Sequence, residues 1–430
     1  MSSPSVPRNP FSAAAVCVPG FEGLCRRELQ ALGLRPKPAG PGLVEFKANS
    51  RQLYAANVWL RTAGRVLVRL ATFRATDFIH LQEHASRIDW SRWVGPGFAP
   101  SFRITTTDSK LYHTKAIAQR LHQVSLPPST GEPEQMFVVR IHRNTVTISV
   151  DSSGQALHHR PWRTELGSAP LRATMAAACL LACDWPAARP GTGPAQETVA
   201  ERPAEEPPGK PPGRPLIDPF CGSGVFPIEA ALLALGLPPG GERPFAFRDW
   251  PDFDTGAWAS VAGTVAQAYD TVGERTDDLA PILASDRDNK MVEAARNNAE
   301  RAEVADVIEF ETRVISHLKA QSGPGLLITN PPYGKRLGSA KLENLYRRFG
   351  AVARERLPGF DLALVTSHAK LAAQADGAVK PIVGFRHGGV AVRLYYRPGV
   401  TESDEGSSDR AGWVGPAGVP ASSDGGSDPS

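Results

Sequence analysis

Leu216-Ile217-Asp218-Pro219-Phe220-Cys221-Gly222-Ser223-Gly224 is the stretch on which the reading of this chain turns. An apolar run ends in an acid, and a Gly-Ser-Gly turn then opens onto PIEAALLALG (227–236), which has the composition of a buried helix. Glycines at a strand-to-helix turn remove side chains, so the backbone can approach a nucleoside closely. The pattern differs from a dinucleotide fingerprint, because the third glycine is missing and an acid precedes the turn. A glycine turn alone is also found where the chain merely bends. The acid and the full D-P-F-C-G-S-G run favour a nucleoside cofactor, with Asp218, Phe220, Gly222, Ser223 and Gly224 as candidate contacts.

Working outward, the chain alternates strand-like and helix-like runs. SAPLRATMAAACLLACDW (168–185) reads as a helix before the motif. After it come PILASD (281–286, strand), NKMVEAARNNAERA (289–302, helix), VIEFE (307–311, strand) and GLLITN (325–330, strand). LENLYRRFGAVARERL (342–357, helix), DLALVTS (361–367, strand) and VAVRLYYRP (390–398, strand) complete the series. Such alternation predicts an α/β, doubly wound, mostly parallel sheet, which binds ligands beyond the carboxyl ends of its strands.

Two further motifs fall at such ends. Ala284-Ser285-Asp286-Arg287-Asp288 closes the second strand, where a carboxylate can accept both ribose hydroxyls of a nucleoside. Asp286 is the expected ribose ligand; Asp288 is a second cofactor candidate and also has the character of a helix N-cap. Thr329-Asn330-Pro331-Pro332-Tyr333-Gly334 follows the strand GLLITN. Two prolines stiffen the chain where it leaves the sheet. An exocyclic amino nitrogen of a base is a poor nucleophile, because its lone pair is delocalised into the ring. The Asn330 side-chain oxygen and the Pro331 carbonyl can accept its two N–H bonds and orient it. Tyr333 can stack on an extruded base, a contact worth about 1–3 kcal/mol. The plain alternative for this stretch is an Asn-Pro turn.

The N-terminal third has a different texture. Strand-like AAAVCV (13–18), LVEFKA (43–48) and SFRITTT (101–107) accompany two helical runs, GFEGLCRRELQALG (20–33) and TKAIAQRLHQV (114–124). Phe21, Leu24, Leu29 and Leu32 form the inward face of the first helix. MFVVRIHRNTVTISVD (136–151) divides at Arg143-Asn144 into a hairpin, giving a small α+β module. The net charge of +4 conceals an asymmetry: residues 1–163 hold 21 Lys and Arg against 10 Asp and Glu. A basic third beside an acidic remainder fits a polyanion-binding module joined to a separate working part.

Length and composition set outer bounds. A chain of 430 residues suggests two or three domains. Its longest apolar runs are too short to span a bilayer, and MSSPSVPRNPF lacks a signal-peptide pattern, so a cytoplasmic protein without membrane partners is expected. Cys17, Cys25, Cys179, Cys183 and Cys221 have no zinc spacing, and no metal is expected. Cys179 and Cys183 read as buried thiols on a helix. The Pro- and Glu-rich stretch 187–214 reads as a long loop within a domain, and the acidic tail 401–430 as disordered.

D-P-F-C-G-S-G, A-S-D-R-D and T-N-P-P-Y-G in this order resemble the class I amino-methyltransferases that use S-adenosyl-L-methionine. More narrowly, the chain resembles the THUMP-domain RNA methyltransferases, in particular the bacterial large-subunit rRNA guanine-N2 branch. Further matching pieces are S-A-P-L-R-A-T-M-A-A-A (168–178), P-F-A-F-R-D-W (244–250), N-A-E-R-A (298–302) and G-K-R-L-G (334–338). The resemblance implies a Rossmann-like class I methyltransferase domain at 165–400, preceded by a ferredoxin-like part at 1–55 and a THUMP RNA-binding domain at 56–160. It implies catalysis by Asn330, Pro331, Pro332 and Tyr333 and places Thr174 near the cofactor. Where the family usually carries an Asp for the adenine amino group, this chain has Thr312-Arg313-Val314, leaving that contact to the backbone or weakening cofactor affinity.

The implied reaction is guanine-N2 methylation of 23S rRNA by a monomer, with tRNA guanine-N2 and adenine-N6 methylation as alternatives. A non-catalytic RNA-binding or ribosome-assembly factor on a retired fold is the competing class. A THUMP-linked thiolation enzyme fits less well, because neither a phosphate-cradling loop nor a catalytic cysteine pair is present. The RNA-facing candidates are Lys110, Tyr112, His113, Lys115, Arg120, Arg140 and His142, together with His158, His159, Arg160 and Arg163 at the junction. Each alone has the plainer reading of a solvated surface side chain.

Overall fold

The computed structural model describes residues 10–125, 133–167, 171–185, 214–241, 243–276, 279–333 and 339–399. The 187–213 part of the Pro-rich loop, the 401–430 tail, the start of the 168–178 motif and G-K-R-L-G (334–338) lie outside the described residues. The chain divides into two compact units, one of 1–17, 25–158 and 240–264, the other of 18–24, 159–239 and 265–430.

The first unit is built on strands β1 (Phe11–Cys17), β2 (Lys37–Pro38), β3 (Leu43–Ala48), β4 (Ala63–Arg74), β5 (Ala99–Thr107), β6 (Glu134–His142) and β7 (Thr145–Asp151). They form one sheet in the order β2-β3-β1-β4-β7-β6-β5, in which β5 and β6 are parallel and the other pairs antiparallel. Helices α1 (Glu22–Ala31), α2 (Ser50–Trp59), α3 (Phe78–Ala85) and α4 (Thr114–Val124) accompany it; α1 begins in the second unit, which holds residues 18–24. Phe21, Leu24 and Leu29 are buried as expected, whereas Leu32 is half-buried and Cys25 is fully buried in the same helix. The hairpin divides where the sequence reading placed it. Arg143 and Asn144 both have positive φ, 48° and 63°, as a two-residue turn matching strand twist requires.

β4 and the two-residue β2 are the strands of this sheet that sequence reading missed, and β4 joins the two halves of the sheet through β1 and β7. Ala63, Val66, Leu67 and Val68 are all buried, so its first half lacks the period of two that marks a half-exposed strand. P-F-A-F-R-D-W also belongs to this unit. Phe247 stacks on Tyr54 with centroids 4.2 Å apart, and the Trp250 indole donates to Gln135 Oε1 at 2.8 Å.

The second unit contains helix α5 (Ala173–Ala182), strand β8 (Leu216–Asp218) and helix α6 (Val225–Ala234). Helix α7 (Thr255–Asp270) runs into it, and α8 (Val272–Thr276), β9 (Ile282–Asp286), α9 (Asn289–Arg301), β10 (Ile308–Thr312) and β11 (Gly325–Thr329) follow. Helix α10 (Ser339–Arg356), β12 (Phe360–Thr366), α11 (Ala369–Ala375), β13 (Lys380–His387) and β14 (Val390–Arg397) complete it. The strand order is β10-β9-β8-β11-β12-β14-β13, and β14 alone runs against the others. The chain moves from β8 toward β10 on one side and resumes at β11 on the other, so the order reverses at β8. That switch point is where an open α/β sheet leaves a crevice for ligand. β13 was not recognised in the sequence. The thiols of Cys179 in α5 and of Cys183 at its C-cap are buried and free, and burial pushes both up in pKa.

Candidate active site

Asp218, Asp286 and Asn330 stand at or just beyond the carboxyl ends of β8, β9 and β11, three adjacent strands. Asp218 is 1% exposed, and one of its oxygens accepts from Thr329 Oγ1 at 2.7 Å and from the Phe220 amide at 3.2 Å. Burial raises its pKa to about 7, the two hydrogen bonds oppose the rise, and the nearby Asp286 adds to it. Phe220 contributes its amide to the turn; its ring rests against Phe349 at 5.8 Å, on the apolar core of the unit.

The turn is tied to both neighbouring elements. The Gly222 amide donates to Asp286 Oδ2 at 3.2 Å, the Asp288 amide donates to Asp286 Oδ1 at 3.0 Å, and Cys221 N donates to the Ser285 carbonyl at 3.0 Å. Each Asp286 oxygen therefore takes one backbone bond and keeps acceptor capacity for hydroxyls. Gly224 has φ 86°, and a Cβ there would meet Ala295 Cβ at 3.0 Å, so the residue must be glycine for two reasons. Gly222, at φ 52°, faces open space where its Cβ would stand, as a surface for close ligand approach requires. These features fit a nucleoside-bearing cofactor. Asp288 is the N-cap of α9, its side chain accepting from Lys290 N at 3.0 Å, so the structure gives it the capping part. Thr174 is buried in the first turn of α5.

Asn298, which lies in N-A-E-R-A, was not singled out by sequence reasoning. It is fully buried, and its amide group donates to the Ser223 carbonyl at 3.0 Å and the Glu165 carbonyl at 2.9 Å. Its side-chain oxygen accepts from the Glu165 amide at 3.2 Å. One side chain thus fixes the glycine turn and the segment leading to α5.

Asn330 carries a buried Oδ1 with no hydrogen-bond partner. Leaving a buried acceptor unpaired costs roughly 1–3 kcal/mol, so its retention marks a place for an incoming donor. Pro331 is buried, Pro332 exposed, and Tyr333 half-buried against the apolar core. Arg313 pairs with Glu311, and its amide donates to the Asp286 carbonyl at 2.8 Å.

The basic candidates separate into two groups. Lys110, Tyr112, His113, Lys115, Arg120, Arg140 and His142 are exposed in the first unit. Tyr112 stands 4.0 Å from the His113 ring, and Arg120 lies over Phe78. In the second unit Arg160 is a correction to the sequence reading. It is 3% exposed and its Nε donates to Glu229 Oε1 at 2.8 Å, so it holds α6 in place and does not face RNA. Glu229, in the middle of an apolar helix, was the signal that a buried cation was needed. Arg163 is half-buried, with Nε and Nη2 unpaired.

Comparison with known proteins agrees with this geometry. Residues 208–383 match the RMKL-like methyltransferase domain, and residues 12–67 match the RlmL ferredoxin-like domain. The Synechocystis protein slr0064, which carries an RNA methyltransferase name, is 31% identical over 79% of this chain and 84% of its own length. The ribosomal RNA large subunit methyltransferase K/L of Methylococcus capsulatus is 32% identical over 83% of this chain. This chain spans about half of that relative, 47% of its length. Among solved structures, the methyltransferase SMU.472 complexed with SAH has a TM-score of 0.76 at 27% identity, covering 92% of this chain and 99% of that one. A methylase from Clostridium difficile has a TM-score of 0.77 at 28% identity, covering 91% and 99%. The chain belongs to the RMKL-like methyltransferase family.

Proposed function

We propose that this protein transfers a methyl group from S-adenosyl-L-methionine to the exocyclic N2 of a guanine in 23S rRNA. The observation that carries the reading is the orphaned Asn330 Oδ1 beside the cofactor turn. It supplies an acceptor for one N–H of an amino group, and the Pro331 carbonyl supplies the second. An asparagine cannot take up a proton at neutral pH, so its part is to orient the amine and stabilise positive charge developing on it; the sulfur would leave as a neutral thioether, and the proton displaced from the nitrogen would pass to water. Tyr333 offers a ring for the extruded base. S-adenosyl-L-methionine, when bound, supplies an electrophilic methyl on a cationic sulfur. Gly222 would leave room for its approach, Gly224 lets the turn close onto α9, Asp286 would receive its ribose hydroxyls, and Asp218 would offer a carboxylate to its cationic end.

The ribosomal RNA name of the Methylococcus relative and the basic, exposed set from Lys110 to Arg140 support an rRNA substrate. The 56–160 region serves as the RNA-docking THUMP part and 165–400, apart from the 240–264 segment that folds with the first unit, as the catalytic part. Mass spectrometry of nucleosides from a strain lacking the gene tests the reading. Loss of N2-methylguanosine from 23S rRNA is expected. Loss from tRNA would move the substrate, loss of N6-methyladenosine would change the base, and no loss would favour a non-catalytic assembly factor.

A further inference from the structure

Strands β4, β7, β6 and β5 lie side by side in the first unit, and their register fixes which side chains share a face. Arg74, Thr145, His142 and Thr107 stand opposite one another across the four strands, and all are exposed. Thr107 Oγ1 and His142 Nδ1 are 3.3 Å apart, as neighbours on one face should be. The next row on that face is Thr72, Thr147, Arg140 and Thr105, of which only Thr147 is half-buried. Beyond the bulge between Arg69 and Ala71 comes a third row, Arg69, Ser149, Val138 and the exposed Arg103.

The opposite face is closed. Phe73 stacks on His84 of α3 at 4.7 Å, and Phe102 meets His122 of α4 edge-on at 4.8 Å. Val146, Ile148, Val139 and Ile141 are buried on that side. The open face, at ordinary strand spacing and rise, measures about 14 Å across and about 13 Å along the strands.

Its chemistry is one-sided. Soluble surfaces normally intersperse both signs of charge, yet the three rows contain no Asp or Glu. Glu45 of β3 is taken by Arg69, and Glu134 lies at the other end of β6. Among the described residues no carboxylate pairs with Arg74, Arg103 or Arg140, whereas Arg87 and Arg92 of the same unit each hold one. The Arg143–Asn144 turn borders the face and is bolted to the loop after β5. Asn144 Oδ1 accepts from the Lys110 amide at 2.8 Å, and the Asn144 amide donates to Ser109 Oγ at 3.0 Å. The border thus adds the exposed Arg143 and Lys110, together with Asp108.

We propose that this open face docks the sugar–phosphate backbone of a base-paired stem in the substrate RNA, a narrowing of the RNA reading above, on which it rests. Guanidiniums take phosphate oxygens through paired N–H groups, and threonine hydroxyls both donate and accept, which suits phosphates and 2′-hydroxyls. No Phe, Tyr or Trp stands in the three rows, and the one ring, His142, is held against Thr107. The face therefore lacks the stacking platform that unpaired bases use, and a stem is favoured over a single strand. Threonine also suits an exposed strand for its own sake, and that plainer reading predicts no effect on binding.

The test uses the full chain, a defined RNA duplex and its two separate strands, with filter binding across a salt series. The variants are Arg74→Gln, Arg103→Gln, Arg140→Gln and the double variant Thr105→Val with Thr107→Val. Arg51→Gln, an exposed cation on α2, serves as the charge control. Each arginine variant of the face is expected to weaken duplex binding roughly fivefold and to flatten the log–log salt slope by about 1. The threonine pair should weaken it about fivefold with the slope unchanged, and Arg51→Gln should stay within about twofold. Every Tm should stay within about 2 °C of wild type, since these side chains are exposed. Should an arginine variant fold poorly, the isosteric threonine pair carries the test. Face variants no weaker than Arg51→Gln would overturn the proposal, and so would losses confined to the separate strands. Methyl transfer to rRNA is measured alongside. Wild-type protein that binds the duplex yet transfers no methyl would defeat the methylation reading and leave the face standing. Normal transfer by the face variants, with an unchanged KM for rRNA, would do the reverse.

Discussion

Thr329 donates its hydroxyl to Asp218 at 2.7 Å, linking the residue before Asn330 to the acid that opens the glycine turn. The two lie at the ends of neighbouring parallel strands, β11 and β8. The cofactor motif and the N-P-P-Y motif are thus joined through one buried bond, although 111 residues separate them in the chain.

Removing that bond should raise the Asp218 pKa further, since the hydroxyl opposes the effect of burial. Thr329→Val is expected to weaken cofactor binding about tenfold at pH 7 and to cost roughly 1–3 kcal/mol of stability. Thr329→Ser should restore both. Calorimetry between pH 6 and 9 checks this: the variant's deficit should shrink as pH rises and the carboxylate forms. A deficit independent of pH would sink the electrostatic account.

Asp218 also sets a pH dependence of folding. Its folded pKa of about 7 lies above the ordinary 3.8, so the folded state holds a proton that the unfolded state releases. Stability is therefore full below about pH 4 on this account and is lost as pH rises toward 7, by on the order of 4 kcal/mol from this group. Asp151 acts in the same sense, raised by burial to about 6 despite its pairing with Arg65. Asp218→Asn should flatten the urea-denaturation midpoint between about pH 6 and 7 and reduce its slope between about pH 4 and 6, where the Asp151 part remains.

The Arg160–Glu229 pair is buried on both sides, at 1% and 0% side-chain exposure. Glu229→Ala strands a guanidinium and is expected to cost about 3–5 kcal/mol in chemical denaturation. Replacing both residues with methionine should recover most of the loss. If the double variant is no better than the single one, the pair does more than neutralise itself.

Asn298→Ala removes the hydrogen bonds that hold Ser223 and Glu165. Cofactor affinity should fall about tenfold, and Asn298→Asp should not rescue it, because a carboxylate cannot donate to the two carbonyls. Wild-type affinity in Asn298→Ala would show that the turn holds its shape without this side chain.

Much of the second unit could be read from residue order. β8, β9 and β11 are largely buried parallel strands with acid, glycine or proline signals where they end, and those signals survive without tertiary context. Other features depend on distant partners. β4 hides its period because both faces of its first half are covered, and β13 follows a stretch of short, weakly patterned runs. Arg160 looked like a surface cation beside Arg163 until the fold brought Glu229, 69 residues away, against it. Asp288 had two readings, and the geometry of α9 shows the capping one. P-F-A-F-R-D-W lies between two cofactor motifs in sequence yet packs on Tyr54 of the first unit, a destination that local pattern does not encode.

The most direct test is transfer of labelled methyl from S-adenosyl-L-methionine to rRNA from a strain lacking the gene, comparing the wild-type chain with Asn330→Ala. The account predicts N2-methylguanosine in rRNA with the wild type and a loss of roughly 100-fold in rate with Asn330→Ala, with cofactor affinity preserved. Methyl transfer by Asn330→Ala at the wild-type rate, or none by either protein, would contradict it.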